Sequence, residues 1–239
     1  MRNQKNMKKN VKLLAALAAT AWVTQANAVV LLTDNFNTTV VADDQTGTLA
    51  PVTYTTSDLA ARSGGALILN YQGNGGWGAS ASLNYNFATS ANDLNSPLTI
   101  EFDMWADSAP LGIAWVGYGL GASQGGLFYE YSIGDLIRQS DGLRSIKLVI
   151  SDTAGTGSGF NGITNGALVE TFINGTSQGA VAKTLTANDG YLTFRGNPAG
   201  WAGGWGLGYV DNLSVSVVPE PSAALLGCMS MLAFLRRKR

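Results

Sequence analysis

The chain has no histidine, and its one cysteine is Cys228, close to the C-terminus. The first absence removes Ser-His-Asp and Cys-His catalysis, histidine-ligated zinc and histidine-based pH sensing together. The second removes any intramolecular disulfide, and Cys228 reads as a small apolar filler before it reads as a lipid-modified or catalytic thiol. Charge is also scarce, at 13% of residues, and it is unevenly spread. Nine of the 15 basic residues sit at the two ends of the chain. The stretch between keeps only Arg62, Arg138, Arg144, Lys147, Lys183 and Arg195, against fifteen acidic residues, a net charge of −9. An acidic body argues against nucleic acid and anionic lipid as partners. It is compatible with neutral polysaccharide, with cations, or with simple solubility. Helical periodicity is missing from the body as well, which excludes a bundle.

What is present at the ends is patterned. Arg2, Lys5, Lys8, Lys9 and Lys12 precede the apolar stretch Leu13–Val23 and the small-x-small triplet Ala26-Asn27-Ala28. That order is the plan of a secretory signal peptide over 1–28, a leader helix cut by signal peptidase after Ala28. A retained N-terminal anchor is the other reading. At the far end, Val218-Pro219-Glu220-Pro221 leads into an apolar run ending at Leu235, then Arg236-Arg237-Lys238-Arg239. The segment Ala223–Leu235 has 13 residues, and as a helix it would extend about 20 Å. A bilayer core is about 30 Å thick, so this is a short anchor, eased by snorkelling basic stems and local thinning. The four basic residues favour a cytoplasmic C-terminus and an outside body. An ordinary surface helix would show a polar face, and this segment has almost none.

The tail, 218–239, resembles the PEP-CTERM sorting signal of exported bacterial proteins. All three parts stand in order: Pro219, Glu220 and Pro221, the hydrophobic segment 223–235, and the basic stop of Arg236, Arg237, Lys238 and Arg239. The resemblance implies an exosortase-type membrane protease as partner. It also implies export, transient anchoring in the membrane, and delivery to the outer envelope or the extracellular space.

The body, 29–217, reads as short β-forming runs between turn clusters. Leu98, Ile100, Phe102 and Met104 alternate with Thr99, Glu101, Asp103 and Trp105, the period of a half-buried strand. Ser145–Ser151 repeats the pattern with Ile146, Leu148 and Ile150 on one face. Further strands are expected at 52–56, 66–70, 81–87, 113–118, 127–131, 169–173, 191–195 and 210–217. Asn174-Gly175, Asp141-Gly142 and Asp189-Gly190 supply the positive φ of tight turns. The Gly-, Ser- and Thr-dense stretch 153–165 reads as a mobile loop. Val169–Thr176 and Tyr209–Val215 resemble the strand-then-Asn-Gly hairpin and the last strand of concanavalin-like and laminin-G-like jelly rolls. The fold class expected is therefore all-β, an antiparallel two-sheet jelly-roll sandwich flanked by the leader helix and the short hydrophobic helix.

Three groups of residues carry chemistry. Glu101 and Asp103 lie two apart on a strand and share a face. A retaining glycosidase needs two carboxyls about 5 Å apart. The laminarinase-like pattern that this strand resembles needs a second Glu where Trp105 or Ala106 stands, and Asp107 comes one step late on a shorter stem. The pair otherwise reads as a polar row facing solvent. Trp77, Trp201 and Trp205 sit among glycines, and their rings are placed either to stack on sugars or to fold back over a sandwich end. In the resembled jelly rolls, first and last strands adjoin and share a structural calcium. Asp34 and Asp211 are the two carboxylates that such an ion would take here, beside the reading that they only cap turns.

Together these features predict an exported, non-enzymatic surface or extracellular-matrix protein, structural or polysaccharide-associated. Structural calcium is the one cofactor the sequence suggests. A carbohydrate-binding module with a defined glycan is the alternative, and a glycoside hydrolase the weaker one. Mass spectrometry of the mature protein should find Val29 at its N-terminus and no trace of Arg236–Arg239. Intact tail peptides recovered from envelopes of a strain with an active sorting enzyme would overturn the sorting reading.

Overall fold

A computed structural model describes residues 28–56, 60–63, 65–70, 79–87, 97–107, 115–121, 136–152, 167–183, 190–197 and 207–217. In chain order the elements are β1 (Val29–Asp34), a single helical turn α1 (Val41–Asp44), β2 (Gln45–Thr46), β3 (Tyr54–Thr56), β4 (Ala60–Ser63), β5 (Ala66–Asn70) and β6 (Ser80–Asn86). Then come β7 (Leu98–Ala106), β8 (Trp115–Gly121), β9 (Leu136–Arg138), a 3₁₀ turn (Gln139–Asp141) and β10 (Arg144–Asp152). The last are β11 (Ala167–Ile173), β12 (Thr176–Lys183), β13 (Tyr191–Asn197) and β14 (Leu207–Val217). Every pairing among them is antiparallel. A 9-stranded sheet runs β12-β11-β10-β7-β14-β1-β2, with β5 also on β14 and β4 on β5, and a 5-stranded sheet runs β3-β6-β13-β8-β9. The body, Val29–Val218, forms one compact unit.

Alternation decides which face is inside. Along β7, Leu98, Ile100, Phe102, Met104 and Ala106 are buried while Glu101, Asp103 and Trp105 are partly exposed. Ile146, Leu148 and Ile150 of β10 point the same way, as the sequence predicts. The smaller sheet answers with Leu83, Val116, Tyr118, Leu120, Leu192 and Phe194, all buried. Phe102 sits at the centre of this layer, edge-on to Tyr118 and Phe194 with both ring centroids 5.1 Å away. The sheets close in on each other where β14 crosses β8: a Cβ on Gly208 would lie 2.9 Å from Val116 Cβ. No side chain larger than hydrogen fits there without displacing one sheet.

Asn174 and Gly175 have φ of 50° and 78°, the signature of a type I′ hairpin, and Ile173 pairs with Thr176 across it. β12 then follows as a strand that the sequence pattern does not announce. β4 and β9 are also unannounced. The first and last strands adjoin, as expected: Asp34 pairs with Leu213 and Val29 with Val217. β14 is longer than either neighbour on that side. It pairs with β5 through Leu207–Val210 and with β1 through Leu213–Val217, so Asp211 and Asn212 fall in the gap between them.

The leader, the tail with its basic stop, and the expected strand 127–131 and loop 153–165 lie outside the described residues. Among the described residues no helix is long and apolar enough to cross a membrane. Phe102, 2% exposed and packed edge-on against two rings, should be a costly core position to truncate. Phe102→Ala is expected to lower the unfolding free energy by about 3–5 kcal/mol in a urea titration.

Candidate functional site

Two clusters meet at the gap in β14, one on each face of the larger sheet. On the inner face, Asp34 is completely buried. Arg62 of β4 reaches it in a fork, Nη1 to Oδ2 at 2.6 Å and Nη2 to Oδ1 at 2.9 Å. The Phe36 amide donates to Oδ1 at 3.0 Å, while Gln45 Nε2 and the Tyr54 hydroxyl donate to Oδ2 at 2.7 and 3.0 Å. Five donors saturate a carboxylate. Arg62 also reaches Asp44 Oδ2 at 2.8 Å and the Thr38 carbonyl at 3.2 Å, and its guanidinium lies 4.8 Å from the Phe36 ring centre. Gln45 completes the cluster by trading two hydrogen bonds with the backbone of Val52.

The charge states follow from these contacts. Burial pushes the Asp44 carboxyl up, but the Thr38 amide and hydroxyl and the Arg62 guanidinium outweigh it and hold the group below its ordinary range. Burial pushes the Tyr54 hydroxyl well above its usual value, and the neighbouring Asp34 carboxylate adds to the rise. Burial alone would lower Arg62, yet its bonds to Asp34 and Asp44 raise it.

Asp34 and Asp211, the pair expected to share a calcium ion, leave the sheet in different directions. Asp34 leaves the sheet on the inner face with Leu213, whereas Asp211 is opposite Asp103, whose side is the outward one. The positive charge that Asp34 needs comes from Arg62, and its lone pairs are taken. Among the described residues no cluster of three or more acidic, cysteine or histidine side chains is placed to hold a metal ion.

The outward face of the same sheet is open and polar. Glu101 and Asp103 share it, as expected, and both are partly exposed. Lys147 Nζ stands 3.0 Å from Glu101 Oε1, across the register pair of β10 and β7. Asp103 Oδ1 accepts a short bond from Ser145 Oγ, and Oδ2 accepts one from Asn212 Nδ2 at 2.9 Å. Asn212 sits in a β-bulge, opposite Phe102 together with Leu213, at φ 53°. The bulge aims its amide outward at Asp103. Asp211 adds a second carboxylate directly across from Asp103. Burial raises the Asp211 carboxyl, and Asp103 and Asp34 raise it further against the Asn212 amide.

Glu101, Asp103, Ser145, Lys147 and Asn212, with Phe172 and Gly175, line a groove of about 460 Å³. One row along the strands, Trp105 and Tyr209 stack with centroids 4.9 Å apart and planes within 5°. Burial raises the Tyr209 hydroxyl, and Asp107, which it bonds, raises it further. This aromatic pair is a feature the sequence reading missed. Trp105 was legible as an outward residue of β7, but its partner depends on the register that the bulge sets. Trp77, Trp201 and Trp205, the rings singled out from sequence, lie outside the described residues. So do Pro219, Glu220, Pro221 and Ala26.

Neither a protein-family model nor a curated protein matches the sequence. Solved structures match at low similarity. An alginate lyase is 14% identical over 79% of this chain and 96% of its own, with a TM-score of 0.39. A prokaryotic β-1,3-1,4-glucanase (lichenase) derived from a mouse hindgut metagenome is 11% identical over 79% of this chain and 99% of its own, at 0.45. A botulinum neurotoxin type C structure is 8% identical over 87% of this chain and 52% of its own, at 0.44.

Removing Arg62 should expose how much the inner cluster matters. Arg62→Met leaves the buried Asp34 without its cation, and urea titration should show a loss of about 3–5 kcal/mol. The acid limb should change as well. Asp44 ionises more readily folded than unfolded, so its contribution is complete above the ordinary value of 3.8 and disappears as pH falls through the lower folded value. In Arg62→Met, that pH-dependent loss of stability below pH 3.8 should shrink.

Proposed function

We propose that the mature body is an exported, non-enzymatic surface or matrix protein that holds polysaccharide on the outward face of its larger sheet. One observation carries this reading: a groove of about 460 Å³ lined by an anchored carboxylate and an amide, Asp103 and Asn212, lies one row along the strands from the stacked rings of Trp105 and Tyr209. Its size is within the range of small-ligand sites. Sugars present apolar C–H faces to aromatic rings and hydroxyl donors to carboxylates, so a surface combining both suits a polyol ligand.

The non-enzymatic part of the reading rests on what the carboxylates already do. Glu101 is half-exposed and tied to Lys147, so it lacks the apolar pocket that raises an acid catalyst. Asp103 is bonded at both oxygens. At the two positions where the resembled glucanases place their second Glu, this chain has Trp105, which stacks on Tyr209, and the buried Ala106. Delivery to this role is the part supplied by the ends: signal peptidase at Ala28, then exosortase-type sorting at Pro219-Glu220-Pro221, with release or retention at the outer envelope.

Affinity electrophoresis of the Val29–Val217 body in gels containing different polysaccharides tests the binding claim. At least one polymer should retard the protein, and Trp105→Ala and Tyr209→Ala should each weaken that retardation about two- to tenfold. Equal migration in every polymer would sink the reading. Reducing ends released by the purified body would refute its non-enzymatic part.

A further inference from the structure

Resting on that reading, we infer that the groove selects uncharged polysaccharide and excludes polymers of uronic acids, with Asp103 as the residue that determines the choice. The argument is one of charge complementarity. At one end of the groove Glu101 is neutralised by Lys147 at 3.0 Å, so that end carries no net charge. At the other end Asp103 is bonded only to neutral donors, Ser145 and Asn212. No basic side chain among the described residues forms an ion pair with Asp103 or with Asp211 across the strand from it. The aromatic rings and the uncompensated carboxylate are thus adjacent.

Spacing makes them one subsite. Trp105 and Asp103 are two residues apart on the same face of β7, a separation of about 7 Å. A sugar ring lying against Trp105 therefore has its hydroxyls within reach of Asp103. Each Asp103 oxygen has one protein donor, which leaves a lone pair on each for a hydroxyl of a vicinal diol. A ring that carries a carboxylate instead brings a like charge to Asp103, with Asp211 reinforcing the repulsion. The bulge at Asn212 has a purpose in this arrangement. It keeps an outward amide on Asp103 Oδ2 and so fixes the carboxylate as an acceptor without cancelling its charge.

The experiment uses the Val29–Val217 body with two soluble probes, a neutral β-glucan and polygalacturonate of matched length, by calorimetry at 0.02 and 0.5 M salt. The neutral polymer should bind at least about tenfold more tightly at low salt, with little dependence on salt, because only the anionic probe is repelled through solvent. Asp103→Asn should weaken the neutral polymer about tenfold, the worth of a charge-assisted hydrogen bond, and narrow the gap to polygalacturonate. Asp211→Asn should narrow the gap too, by strengthening polygalacturonate. Polygalacturonate bound as tightly as the neutral polymer would overturn the selectivity and leave polysaccharide binding standing. A gap that neither variant changes, with both variants melting like the parent, would remove Asp103 from the role. A body that binds neither probe, nor any polymer in the gels, would overturn both proposals.

Discussion

The fork between Arg62 and Asp34 is the contact on which the larger sheet depends. β14 carries β7 along one side, but its other side is divided between β5 and β1, which never pair with each other. Backbone hydrogen bonds cannot close that division, and a split sheet would expose the core below it. Arg62 comes from β4, the partner of β5, and Asp34 ends β1, so their two parallel bonds tie together the halves that the backbone leaves apart. A buried ion pair seldom stabilises more than apolar residues of equal volume would. Its value is directional. The planar guanidinium offers donors toward Asp34, Asp44 and the Thr38 carbonyl at once, and Lys could not do so from a single ammonium.

The same gap shapes the outward face. Gly208 and Val210 point inward at even positions, and Leu213, Val215 and Val217 point inward at odd ones. A strand with period two cannot do both. The extra residue at Asp211-Asn212 absorbs the change of phase, and it can do so because no neighbour on the β5 and β1 side holds the backbone there. Without the bulge, either Tyr209 would turn into the core or the three apolar residues would face water. One local irregularity therefore keeps the core closed, places Tyr209 beside Trp105 and delivers Asn212 to Asp103. The inner ion pair and the outer groove are two consequences of one divided neighbour.

How much of this was legible in the sequence varies with the range of the interaction. β7 and β10 announce themselves because alternation is a local property, and the Asn174-Gly175 hairpin because two residues suffice for a type I′ turn. β12 does not, because Thr176–Lys183 is mostly small and polar; the hairpin and its pairing to β11 make it a strand. The pairing of β1 with β14 follows from the resemblance, which points to Asp211, a late carboxylate, as the neighbour of Asp34. The better clue was scarcity. Arg62 is the first basic residue of the body, and none follows until Arg138. A lone cation in a hundred acidic and neutral residues is a candidate partner for a buried acid, but which acid depends on a contact 28 positions away. The change of phase in β14 was also written in the sequence, as an even-to-odd switch across Asp211-Asn212, visible only once the strand is read past its last four residues.

Why the groove lies on the larger sheet follows from what the smaller one does with its own outward side. Ser82, Thr193 and Arg195 alternate with core-facing Ala81, Leu192 and Phe194, so they belong to the outward face, yet all three are buried. Ser82 and Thr193 satisfy each other at 2.6 Å. The centre of that face is covered. The larger sheet keeps Glu101, Asp103, Ser145, Lys147 and Trp105 at its surface, and only Lys147 among them is basic. Of the six basic residues in the body, Arg62 is committed to the fold, Arg144 lies near Asp141 and Lys147 is on Glu101, and among the described residues no ion pair reaches Asp103 or Asp211. A face so composed suits the proposed ligand, a polymer rich in hydroxyls and free of charge. The acidity of the body, which from composition alone meant only solubility or a neutral partner, becomes here a local property of two carboxylates on adjacent strands.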